Sequence, residues 1–279
     1  MADQKQFNGH VNFKNIVQIE NAGNAECGPT GILYGRKVSE KIDPFTEGTT
    51  ALYPLGTPLV HGSREYRYCR VGSGGIAKGL LVQTAAILTN TRDLSPTDAT
   101  TAAGSKTLSV ELGGSAAAVA ANQFQDGFVV INDGAGEGHI YQVRSNTAVA
   151  DASVDPTIVF TFYEPLQVAV TTGGSSKIDI IPNPYYNVET ADHDSGNFTG
   201  AVVGATAMGL TANNFGWIQT KGPAPLLTVS TVDMGDQVVR ARGTSNGGVQ
   251  ASADDTDAKV GVVLHQNDGG DYSVILLDI

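Results

Sequence analysis

The sequence predicts an all-β fold: Gly-rich antiparallel β-barrel or sandwich modules with an extended N-terminal arm and little helix. Three observations carry this. Several segments alternate apolar and polar residues with a period of two. Gly-rich turns separate them. No segment sustains the 3.6-residue period of a long amphipathic helix. The composition agrees, because 34 glycines and a charged fraction of 16%, against about 25% in an average soluble domain, suit a hairpin-rich protein.

Taken in order, residues 1–50 are the least regular and read as an arm with one short strand near Val11 to Glu20. Its apolar residues Phe7, Phe13, Ile16, Val17 and Ile19 need cover. Either they pack on their own domain or they dock on a neighbouring subunit, which makes them the candidate interface residues. Residues 51–105 form a small β-module. Prolines 54 and 58 confine any strand at its start to an edge. Arg64 to Val71 alternates as a half-buried strand, and Gly72 to Gly79 turns into Leu80 to Ala85.

Residues 106–188 form a central β-domain. Lys106 to Leu112 alternates and closes on Gly113 and Gly114, and Ala116 to Ala121 suits one or two helical turns with Ser115 as N-cap. Phe128 to Ile131 and His139 to Val143 flank the loop Asn132 to Gly138 as a hairpin. Thr157 to Tyr163 is β-branched and aromatic, hence a buried strand, and Lys177 to Ile181 precedes Pro182. Residues 189–279 form a C-terminal β-module completing a barrel. It runs from Phe215 to Thr220, past Pro223 and Pro225, through Val238 to Arg242, across a polar loop from Gly243 to Lys259, and ends on the apolar strand Tyr272 to Ile279.

The motifs that carry chemistry meet structural objections. Gly134, Gly136 and Gly138 resemble a phosphate cradle, but such a loop must open a helix, and here a strand follows beside Asp133 and Glu137. Gly243 to Gly247 matches GxSxG by letter without the strand–turn–helix context of a nucleophile elbow. Asp192 to Asp194 and Asp254 to Asp257 read as solvated acidic loops, and the second lacks the Gly and Glu of a calcium loop. Trp217 reads as a core or interface anchor. The sequence therefore predicts no catalytic residues, no cofactor and no metal; the protein is not expected to be an enzyme.

Composition excludes further classes. A net charge of −11 and pI near 4.7 oppose phosphate-backbone binding, which is built from clustered Lys and Arg, so no nucleic-acid partner is expected. Mean hydropathy of −0.07 and the lack of a run of about 18 apolar residues predict no membrane partner. The first residues lack an apolar signal core, which predicts folding in the cytosol. There, Cys27 and Cys69 are expected as reduced, buried thiols.

Several phrases, in their order, look like tailed-bacteriophage virion proteins. They are Ala51 to Thr57, Tyr66 to Gly72, Ala77 to Gln83, Gly127 to Val143, Lys177 to Tyr185, Gly216 to Pro223, Val260 to Leu264 and Tyr272 to Ile279. The C-terminal pattern is similar to small phage decoration modules. The resemblance covers roughly residues 50–279 and implies a head decoration (cement) protein, made in the host bacterial cytoplasm and placed on the capsid exterior of the virion. The implied partners are the phage major capsid protein and further copies of the chain, with a trimer favoured. A tail or fibre-base component is the alternative, and a glycan-binding receptor protein is a third reading.

Overall fold

The computed structural model describes residues 42–88, 91–113, 118–151, 153, 157–172, 176–193, 198–243, 246–253 and 258–279. The interface candidates Phe7, Phe13, Ile16, Val17 and Ile19, with Cys27, lie outside these residues. Eighteen strands and no helix occur among the described residues, and all ladders between the strands are antiparallel. The fold is all-β, as composition and period-two patterning require.

Numbered in chain order, ten strands build the larger sheet. They are β1 (Pro58–His61), β2 (Arg64–Arg70), β3 (Leu81–Gln83), β12 (Glu189–Thr190), β13 (Val202–Thr206), β14 (Phe215–Leu227), β15 (Gln237–Arg240), β16 (Val249–Ala251), β17 (Lys259–His265) and β18 (Tyr272–Asp278). The order runs β12-β3-β13-β14-β18-β17-β15-β16, with β2 also paired to β14 and β1 to β2. Strands from before residue 84 and after residue 188 therefore share one sheet. The chain between them forms a second sheet, ordered β11-β7-β8-β9-β6-β4. Its strands are β4 (Ser95–Pro96), β6 (Thr107–Glu111), β7 (Phe128–Asp133), β8 (Ile140–Asn146), β9 (Thr157–Phe162) and β11 (Lys177–Ile181), and β5 (Thr100–Thr101) pairs separately with β10 (Val170–Thr171).

Each sheet buries its own apolar side. Val110, Val129, Ile131, Val143, Ile158, Phe160 and Ile178 belong to one continuous core. Leu226, Val238, Val249, Ile275 and Leu277 belong to a second, and Cys69, Val71, Val82 and Ile218 to a third. The alternation read in Lys106 to Leu112 is the alternation of core-facing and outward residues in β6, and Thr157 to Tyr163, read as a buried strand, buries alternate residues in β9.

Two local expectations are corrected. The described part of Ala116 to Ala121 is not helical. Val119 exchanges both backbone hydrogen bonds with Val149 at 2.8 Å, because a β-branched residue gains more by joining the core than by a short helical turn. The polar loop Gly243 to Lys259 contains β16, since Val249 is buried against the second core. Pro223 and Pro225 do not interrupt a strand: β14 runs through both over thirteen residues.

The proline run has a physical account. In an antiparallel strand the N–H and C=O of one residue point to one side, and successive residues alternate sides. Leu227 donates its N–H to Gly79 O at 2.9 Å, away from β18. Pro225 and Pro223 share that side, so their missing donors cost the β14–β18 ladder nothing. Gln219 Nε2 donates to the carbonyls of Lys221, Gly222 and Pro223 at 3.0, 3.1 and 3.0 Å.

Candidate interaction surfaces

The most distinctive exposed feature is the outward face of β14, β18 and β17. Directly opposite residues of paired strands point to the same side, so the register defines this face row by row. Pro223 pairs with Leu276, and Leu276 with Val262. In the next row Pro225 pairs with Val274, and in the next Leu227 with Tyr272. Val262, Leu264, Tyr272 and Leu276 are 37%, 44%, 42% and 43% exposed. Large aliphatic groups on several adjacent strands, all facing water, are what a covered surface looks like without its cover.

Two glycines allow this face its close fit. A Cβ at Gly261 would lie 2.3 Å from Leu276 O, so only glycine lets β17 approach β18 there. At Gly79, φ is +69° and a Cβ would lie 2.4 Å from the Tyr272 ring, so the ring lies over the bare glycine backbone. The face ends at Lys221 and Asp278, cross-strand partners whose side chains form an ion pair at 3.0 Å while remaining exposed. The hydrogen bond from Lys221 to Asp278, and then its charge, hold the ammonium above its ordinary pKa.

A second apolar face lies on the six-stranded sheet. Ile181 pairs with Phe128, and Val130 with Ile140, so all four point outward. Ile140 is 54% and Ile181 42% exposed, while Phe128 and Val130 are half-buried.

The residues singled out for chemistry are held in structural roles. In the Asn132 to Gly138 loop the amide N–H groups are spent internally: Gly134 N bonds Asp133 Oδ1, Glu137 N bonds Gly134 O, Gly138 N bonds Ile131 O and His139 N bonds Gly136 O. Asn132 Nδ2 reaches Asp93 Oδ1 at 2.8 Å and Asp179 Oδ1 at 3.1 Å, tying the loop to β11. Gly243 and Gly247, the ends of the GxSxG letters, both have φ of +74° and donate to His193 O and Ala191 O. Ser245, Asp194 and Asp254 to Asp257 lie outside the described residues. Trp217 is 2% exposed and packs with Tyr53 and Tyr68, at ring separations of 5.6 and 5.0 Å. It is a core anchor.

Arg240 lines a cavity region of about 320 Å³ together with Phe198, Val239 and Val260. Arg240 donates to Asp192 Oδ1 at 2.9 Å and to Gly200 O at 2.7 Å, with its guanidinium 4.1 Å from the Phe198 ring centre. Burial works to raise the Asp192 pKa, but hydrogen bonds from Thr199 and the Arg240 charge outweigh it and hold the carboxyl below its usual range. Among the described residues, no group of three or more His, Cys, Asp and Glu stands close enough to hold a metal ion, and no helix is long and apolar enough to cross a membrane.

The outward faces were missed in the sequence, although a signal for one was present. Val260 to Leu264 and Val274 to Leu277 are apolar at nearly every position, whereas a strand with one solvated face alternates. Strands that are apolar on both sides bury one side and leave the other to be covered. No family model, no curated protein and no solved structure matches this chain.

Proposed function

We propose that this protein acts by binding rather than by chemistry, as a decoration (cement) protein on the exterior of a tailed-bacteriophage head, bridging major capsid subunits. The observation that carries the reading is the pair of outward apolar faces on two different sheets, because a bridge needs two surfaces and each exposed apolar patch marks a protein contact. The low charge density and the net charge of −11 support a protein that stays off packaged nucleic acid. The order of the phage-like phrases supplies the capsid.

Such a protein stabilises by mass action, binding the assembled lattice and not free subunits. Modest contacts repeated over the shell then add up to a rigid whole. The test is co-sedimentation of the purified chain with expanded phage heads, followed by heating of the loaded and bare heads. Binding together with a raised disruption temperature is expected. Failure to bind expanded heads overturns the reading, and recovery of the chain with tails instead favours a tail component.

A further inference from the structure

We propose that the outward face of β14 and β18 takes a second copy of this chain, about a two-fold axis that runs along the strands between them. The register sets the geometry. Rotation by 180° about that line exchanges β14 of one copy with β18 of the other and keeps each row level. Pro223 then meets Leu276 of the second copy, and Pro225 meets its Val274. Lys221 meets Asp278, and Asp278 meets Lys221.

Charge confines self-association to a face of this kind. Two copies each carrying −11 repel across most orientations, and the repulsion is least where the facing residues are uncharged. Between Pro223 and Leu227, and between Tyr272 and Leu277, β14 and β18 carry no ionisable side chain except the Tyr272 phenol. In the row at one end β14 and β18 contribute Lys221 and Asp278, with Glu65 of β2 on the other side of Lys221; the Lys221 and Asp278 pair is self-complementary under the two-fold and not under a displaced stacking. An isologous interface requires this property, the same patch complementing itself. Face-to-face sheets then pack about 10 Å apart with strands nearly aligned, as in a sandwich.

The inference rests on the face and its register and concerns the purified chain alone; a pair formed this way leaves the Phe128, Val130, Ile140 and Ile181 face of each copy outward, so the bridge of the capsid reading then has its two surfaces on two copies. The resemblance by itself favours three copies, whereas the charge arrangement favours two. The facing rows hold eight residues, Lys221, Pro223, Pro225 and Leu227 with Tyr272, Val274, Leu276 and Asp278, against roughly 20–30 a side in a standard interface, so association is expected only at raised concentration.

The test is sedimentation velocity of the full chain up to about 100 µM, where micromolar affinities are populated. The wild type is expected to approach the mass of two chains. Leu276→Glu is expected to leave a monomer with an unchanged melting temperature, because this side chain points to water. Lys221→Glu places like charges across the axis and is expected to weaken association about tenfold or more, and the exchange Lys221→Glu with Asp278→Lys is expected to restore it. A wild type that stays monomeric, or an assembly that Leu276→Glu leaves intact, overturns the pairing. A three-copy species, or a charge exchange that restores nothing, overturns the two-fold axis.

Discussion

Cys69 shows how much a single position can record about its surroundings. It lies on β2 in the third core, fully buried as a free thiol. Burial pushes its pKa from the ordinary 9.0 to about 12, against a smaller lowering by the Gly216 backbone. The folded state thus keeps its proton where the unfolded state has lost it, and stability falls as pH rises from 9 toward 12. Cys69→Ala is expected to flatten that alkaline limb in pH-dependent denaturant titrations, even though the lost packing of the sulfur lowers stability at neutral pH. In a Cys27→Ser background, Cys69 is also expected to resist thiol reagents at pH 8 until denaturant is added, since only the thiolate reacts. Rapid modification of the native protein would contradict this.

At the scale of the element, β14 is the strand on which the larger sheet turns. Its first half pairs with β2 and β13 and its second half with β18. The two prolines occupy the only side on which they are harmless, and a distinction between neighbours follows. Ala224 presents its N–H to β18, so Ala224→Pro is expected to remove a ladder bond and lower stability by about 3 kcal/mol. Pro225→Ala, one residue on, is expected to change it by less than about 1 kcal/mol. Equal losses in chemical denaturation would show that the alternation of sides is misassigned. Strands β6, β7, β8 and β9 were legible in the sequence, β6 by its alternation, β7 and β8 by the Gly-rich turn between them and β9 by its β-branched and aromatic run. Strand β14 was not, because prolines normally mark a break and only the position of the neighbouring strand shows that these two lose nothing.

For the whole molecule, the decisive contacts join segments far apart in the chain. Gln83 on β3 is buried and donates to Glu189 Oε1 at 3.0 Å and Thr199 Oγ1 at 2.9 Å, while its own Oε1 accepts from Asp192 N at 3.1 Å. Arg240 on β15 closes the same corner through Asp192 and Gly200. Arg240→Met strands Asp192, and the expected loss is about 3 kcal/mol, the low end for a broken buried pair, because the Asp192 side chain keeps 22% exposure. The pH dependence has a definite sign. The Asp192 carboxyl is held below its ordinary 3.8 in the folded state, so its contribution is present above that value and is lost as pH falls through the lower folded one. Thermal unfolding between pH 2 and 5 is expected to show a shallower acid limb for Arg240→Met than for the wild type. An identical limb in both proteins would remove the pair from the acid response.

By itself the sequence determined the fold class and the positions of the regular strands. Period-two patterning is a local property, and Gly-rich turns announce themselves in a few residues. It also carries the phrases whose resemblance to phage virion proteins supports the capsid proposal. Only the tertiary structure decided which strands share a sheet, because the pairing of β3 with β12 and β13 spans more than a hundred residues and leaves no local mark. It likewise decided which side of β17 and β18 faces water: an apolar run states that both sides avoid water, and the neighbouring strands choose the one that stays outside.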